Sequence, residues 1–156
     1  MAGPNIAIYN ADNSNLVSIW NVGTVKAQTP SAVFTVNIWN NKGNTSEAVS
    51  DLKDCYIGVY DSTGNTANTE VPKNKWVEIN VPSVDGNTST WTAIGGSTIK
   101  NIKAAGQSDF SISGAINNGN ASDTSNFCTC SFRINAPINS TPGTKDFNIR
   151  LTGYFT

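Results

Sequence analysis

Few residues in this chain have the type and spacing to do chemistry. Two carboxylate pairs lie close in sequence, Asp51 with Asp54 and Asp61 with Glu70. Paired carboxylates are what glycoside hydrolysis uses, one as acid and one as base or nucleophile. Both pairs fall in turn-like segments, where Asp usually turns or caps the backbone. Serine is abundant, but there is no histidine. The commonest general base, transition-metal ligand and pH switch is therefore missing, and a nucleophilic serine would need a lysine partner. Gly95-Gly96-Ser97 and Gly106-Gln107-Ser108 lack the pattern of a nucleophile elbow. No glycine-rich run has phosphate-cradling spacing. Asp61-Ser62-Thr63-Gly64-Asn65 offers oxygens around a glycine but lacks the further acidic ligands of a calcium loop. A hairpin turn is expected there. No catalytic, cofactor-binding or metal-ligating residue is assigned, and no cofactor is expected.

The cysteines and aromatics leave more open. Cys55, Cys128 and Cys130 suit buried thiols that pack as small hydrophobes. Cys128 and Cys130, two apart on a strand, share a face and are poorly placed to bond to each other. A bridge from Cys55 to either remains open. Trp20, Trp39, Trp76 and Trp91, with Tyr56 and Tyr60, could form a stacking platform for sugar. Trp39 and Trp76 lie opposite the aliphatic faces of their strands, so exposure is conceivable for both. The ordinary role of large aromatics is packing.

The elements that must position these residues read as strands. Phe34, Val36 and Ile38 alternate with Thr35, Asn37 and Trp39. The same period of two recurs at Cys55–Val59, Val77–Val81, Cys128–Ile134 and Phe147–Phe155. Phe110, Ile112 and Ile116 suggest another face. Weaker strands are expected at 6–9, 16–20, 89–94 and 99–103. Turn residues separate them, and Ala136-Pro137 through Pro142-Gly143 forms a stiff loop before the last strand. The only candidate helical piece is Ser46–Lys53. Eight to ten short strands in 156 residues point to one all-β domain over 1–156, an antiparallel β-sandwich of immunoglobulin-like type. Phe34, Val36, Ile38, Val59, Ile79, Phe132, Phe147 and Leu151 are the expected core.

Charge bounds the partners. Ten basic and eleven acidic residues give a net charge of -1. Without a basic stripe, nucleic-acid binding is not expected, and neither is a membrane surface. Asn, Ser and Thr make up roughly a third of the chain, a composition suited to turns and strand surfaces. The N-terminus shows no signal-peptide pattern, so synthesis in a cytosol is expected. Residues 1–10 are a candidate docking arm.

Two segments carry a resemblance. Trp20-Asn21-Val22-Gly23-Thr24-Val25 followed by Phe34 to Gly43, with its Asn40-Asn41-Lys42-Gly43 ending, resembles the opening of bacterial immunoglobulin-like modules. Ile134 to Pro137, through Pro142-Gly143 to Phe147-Asn148-Ile149-Arg150-Leu151, is similar to their last two strands. As a whole, with its closing Leu151-Thr152-Gly153-Tyr154-Phe155-Thr156, the chain resembles immunoglobulin-like virion structural proteins of tailed bacteriophages. That resemblance implies a non-enzymatic capsid decoration protein, made in the host cytoplasm, located in the virion and bound to the major capsid protein. The alternatives are a tail or baseplate accessory protein and a carbohydrate-binding module, and weak glycan binding could accompany the virion role.

Overall fold

A computed structural model describes residues 1–156. Eight strands form where apolar and polar residues alternate: β1 (Ile6–Asn10), β2 (Phe34–Asn40), β3 (Lys53–Tyr60), β4 (Val77–Asn80), β5 (Thr92–Ile94), β6 (Lys100–Asn101), β7 (Phe127–Ile134) and β8 (Asn148–Tyr154). In β7 the pattern is strict: Cys128, Cys130, Phe132 and Ile134 are buried while the residues between them are half-buried. Two single-turn helices, α1 (Glu70–Lys73) and α2 (Pro82–Asp85), interrupt the strands.

The expected helix at Ser46–Lys53 does not form. Val49 and Leu52 instead donate main-chain bonds to Gly114 and Ile112, and Ser50 donates to Ala2. Tertiary pairing overrides a weak local preference there. The Phe110–Ile116 face is likewise no strand. Ile112 alone is buried, through a bridge to Leu52, and Phe110 and Ile116 are exposed.

The strands make two antiparallel sheets, one in the order β1-β2-β7-β4-β5 and the other β6-β3-β8. The all-β sandwich expected from the alternation is the fold found. Six strands follow the immunoglobulin pairing scheme: β1-β2-β7-β4 takes the order A-B-E-D, and β3-β8 takes C-F.

One side of the sandwich is closed. The chain leaves the larger sheet at β5, turns at Gly95–Thr98 and enters the smaller sheet at β6. The turn requires a glycine. Gly95 has φ +140°, and a Cβ there would lie 2.2 Å from the Pro72 carbonyl oxygen. On the opposite side, between β1 and β8, no strand crosses.

Val36, Ile38, Ile57, Val59, Ile79 and Phe132 lie in a single buried cluster between the sheets. Each fully buried side chain of this size contributes about 1.5–3 kcal/mol. Asparagine does unexpected structural work at the lower end. Asn40, Asn41, Asn117 and Asn126 are all buried. The Asn40 amide donates to the Ser50 and Ile112 carbonyls, and its Oδ1 accepts from the Asn5 N–H. Asn126 donates to Ser113 and Ala115, and Asn117 to the Asn41 carbonyl. These amides bond carbonyls of irregular segments, those of Ser50, Ser113 and Ala115 among them, that receive no main-chain donor.

Candidate interaction groove

The side chains singled out for chemistry do not assemble. Asp51 accepts from the Gly114 N–H. Asp61 Oδ1 is saturated by the Thr63 and Asn65 N–H groups and the Thr63 hydroxyl, at 2.7–2.9 Å. Those bonds, led by the one from Asn65, hold its carboxyl below the usual range. The segment is a tight turn, with Gly64 at φ +87° donating to the Asp61 carbonyl, but not the expected hairpin, because β3 pairs with β6 and β8 and not with the strand that follows it. Two Ser-x-x-Lys runs supply the lysine partner that a nucleophilic serine would need, Ser50–Lys53 and Ser97–Lys100. Neither is a dyad: Ser50 Oγ donates to the Thr156 carbonyl, and Lys100 Nζ bonds to Asp85 and Thr92. No three His, Cys, Asp or Glu side chains cluster as metal ligands would.

The three cysteines are buried free thiols. Cys128 and Cys130 share a face with their sulfurs 3.9 Å apart. Burial pushes the Cys55 thiol up to about 12. Its neighbour Cys128, followed by burial, holds Cys130 well above the ordinary thiol value.

The aromatic platform is not there either. Trp39 is fully buried. The loop after β1 folds over it, and Trp39 Nε1 donates to Asn13 Oδ1 at 2.8 Å while its ring stacks on Phe127 with centroids 4.5 Å apart. Trp76 is buried at 6% exposure. Trp91 lies under the Arg133 guanidinium and Tyr60 under that of Arg150, both at 4.3 Å. Trp39 is buried although it lies opposite the aliphatic residues of its strand, because both faces of β2 are covered.

What the fold does create is a groove on the open side of the sandwich, with a volume of about 1220 Å³. One wall is the segment Val17–Val25; the other is the loop from Ser140 to Asp146 with Phe147, Ile149 and Leu151 of β8; Ile57, Phe132 and Ile134 lie at the base. Trp20 props the first wall. Its ring stacks on Phe34 at 5.4 Å and meets Phe147 edge-on at 5.8 Å. Glu70 ties down the second wall. Its carboxylate accepts from the Thr141 N–H and hydroxyl and pairs with Lys145 at 2.9 Å. The Thr141 hydroxyl and the Lys145 ammonium hold the Glu70 carboxyl at about 2.

Both walls carry unpaired main chain. Residues 18–25 make no main-chain hydrogen bond to any other main-chain group, and β8 bonds only to β3. The expected strand at 16–20 is reduced to one bridge, between Leu16 and Tyr9. Residues 1–10, read as a docking arm, lie against the fold: β1 pairs with β2 along its length, and Asn5 and Ala2 are bonded to residues 40, 41 and 50.

No protein-family model, curated protein or solved structure matches this chain.

Proposed function

We propose that this chain is a non-enzymatic structural protein of a bacteriophage virion, a capsid decoration protein that attaches to the major capsid protein. The observation that carries the reading is the groove. Its walls offer unpaired main chain and apolar side chains, which are the means of contact with another protein. The resemblance of the closing strand and of the Asn-rich sandwich as a whole to phage virion proteins supplies the assembly. The glycan alternative has lost support, because Trp39 and Trp76 are buried and cannot stack on sugar. Mass spectrometry of purified, intact particles tests the proposal. The chain should be present in stoichiometric amounts; its absence from particles, with abundance in the host cytosol, would overturn it. Imaging of the particle separates a capsid position from a tail or baseplate one.

A further inference from the structure

We infer that the groove between residues 17–25 and β8 is a vacant strand position, which takes one extended, uncharged β-strand from a partner protein. The inference concerns the occupant's chemistry and holds whichever assembly the chain belongs to. Absence from virions would leave it standing.

Four observations converge on it. First, the hydrogen-bonding groups are those of a sheet. β8 is a seven-residue edge strand with no partner on its outer side, and residues 18–25 opposite are unpaired as well. The other edges are managed. β5 and β6 are three and two residues long, and β1 is covered where Val17 donates to Ile8 and Asn10 to Asn15. Short or covered edges are the usual protection against unwanted pairing, and β8 has neither.

Second, the groove runs along a strand edge: Asn148, Ile149 and Leu151 of β8 line one wall with Phe147, and residues 17–25 line the other.

Third, the side chains fit an apolar, uncharged strand. Phe34, Phe147, Ile149 and Leu151 are half-buried around the groove and packed against the core. Its only charged lining groups are Lys145 and Asp146, and Lys145 is already paired with Glu70.

Fourth, a second copy is a poor donor. The free main chain it could offer, residues 18–25 and the outer edge of β8, already forms the two walls of its own groove. Strand addition by a foreign segment is an established mode of recognition, and main-chain pairing on two sides would give it affinity with little demand on sequence.

The test extends the full chain beyond Thr156 with an Asn-Gly turn and a seven-residue strand of alternating Val and Thr. A matched control carries Lys at the inward positions. The Val/Thr strand should show cross-strand nuclear Overhauser contacts to β8, slow exchange of the outer β8 amides on the order of tenfold or more, and raise Tm. The Lys control should do none of these. Exchange in β2 and β7 reports that both variants are folded. Outer β8 amides that exchange equally in the parent and the Val/Thr variant would overturn the inference. Concentration-dependent protection of β8 in the unextended chain, with dimers or larger species by light scattering, would overturn the assignment to a foreign strand and give the groove to a second copy.

Discussion

Trp39→Ala should destabilise the fold severely, although the pattern of β2 puts Trp39 on the face away from the aliphatic core. Trp39 is 0% exposed, stacks on Phe127 with centroids 4.5 Å apart, and donates to Asn13 Oδ1 at 2.8 Å. Truncating a fully buried tryptophan costs about 3–5 kcal/mol. The acceptor is not orphaned, because Asn37 also donates to Asn13 Oδ1, so loss of packing dominates and the middle of that range, about 4 kcal/mol, is expected. For a chain of this size each kcal/mol moves Tm by about 2–4 °C, so a fall of roughly 8–16 °C is predicted. Asn13→Ala separates the two contributions. It leaves the Trp39 indole N–H without a partner and should cost about 1–3 kcal/mol. Thermal and urea unfolding followed by circular dichroism measure both. A loss under about 1 kcal/mol for Trp39→Ala, the scale of surface substitutions, would refute the reasoning and return Trp39 to the surface.

Other outcomes follow from the same structure. Stability should be flat above pH 5 and fall as the pH drops from about 4.5 toward 2. The folded Glu70 carboxyl is lowered from 4.5 to about 2, so its contribution is complete above the unfolded value and is lost as the folded value is approached. Asp12, Asp61 and Asp109 are lowered too and act in the same direction; urea midpoints across pH 2–7 check this, and Glu70→Gln should flatten the acid limb. Native protein should leave Cys55 and Cys130 unmodified by Ellman's reagent at pH 8, since both thiols are buried and raised, and all three cysteines should react in urea; rapid native labelling would contradict their placement. Asn40→Ala should cost about 1–3 kcal/mol in urea unfolding, because it removes three hydrogen bonds and leaves the Ser50 carbonyl without a partner. Gly95→Ala should destabilise comparably or prevent folding, since its Cβ would strike the Pro72 carbonyl and φ +140° is strained for any side chain.

The strand pattern was legible because period-two alternation is a direct imprint of a sheet with one buried face. It located β2, β3, β4, β7 and β8 and placed Val36, Ile38, Val59, Ile79 and Phe132 in the core. Phe34, Phe147 and Leu151 were expected beside them and are only half-buried, because all three border the groove. The deviation from pattern marks the site: apolar residues with strand periodicity but incomplete cover. Leu16–Val25 tells the same story, rich in strand-forming residues yet in no sheet. Trp39 and Trp76 take the packing role that large aromatics ordinarily have: Trp76 precedes β4 and joins the core cluster, while Trp39 is covered by a loop outside the sheet, to which alternation is blind. The abundant asparagine suggested turns and surfaces. Composition cannot reveal that Asn40, Asn41, Asn117 and Asn126 are buried, because their partners are carbonyls more than 70 residues away in several cases.

The central claim is that this sandwich has one open side, flanked by unpaired main chain. Residue-resolved amide hydrogen exchange on the unmodified, monomeric chain tests it most directly. The amides of β2 and β7, paired on both sides within the sheet, should be the slowest. Those of residues 18–25 and the outward-directed ones of β8 should exchange with little protection, while the alternate β8 amides bonded to β3 stay slow. Protection in residues 18–25 and along both edges of β8 equal to that in β2 and β7 would contradict the account, since it would show the side already closed.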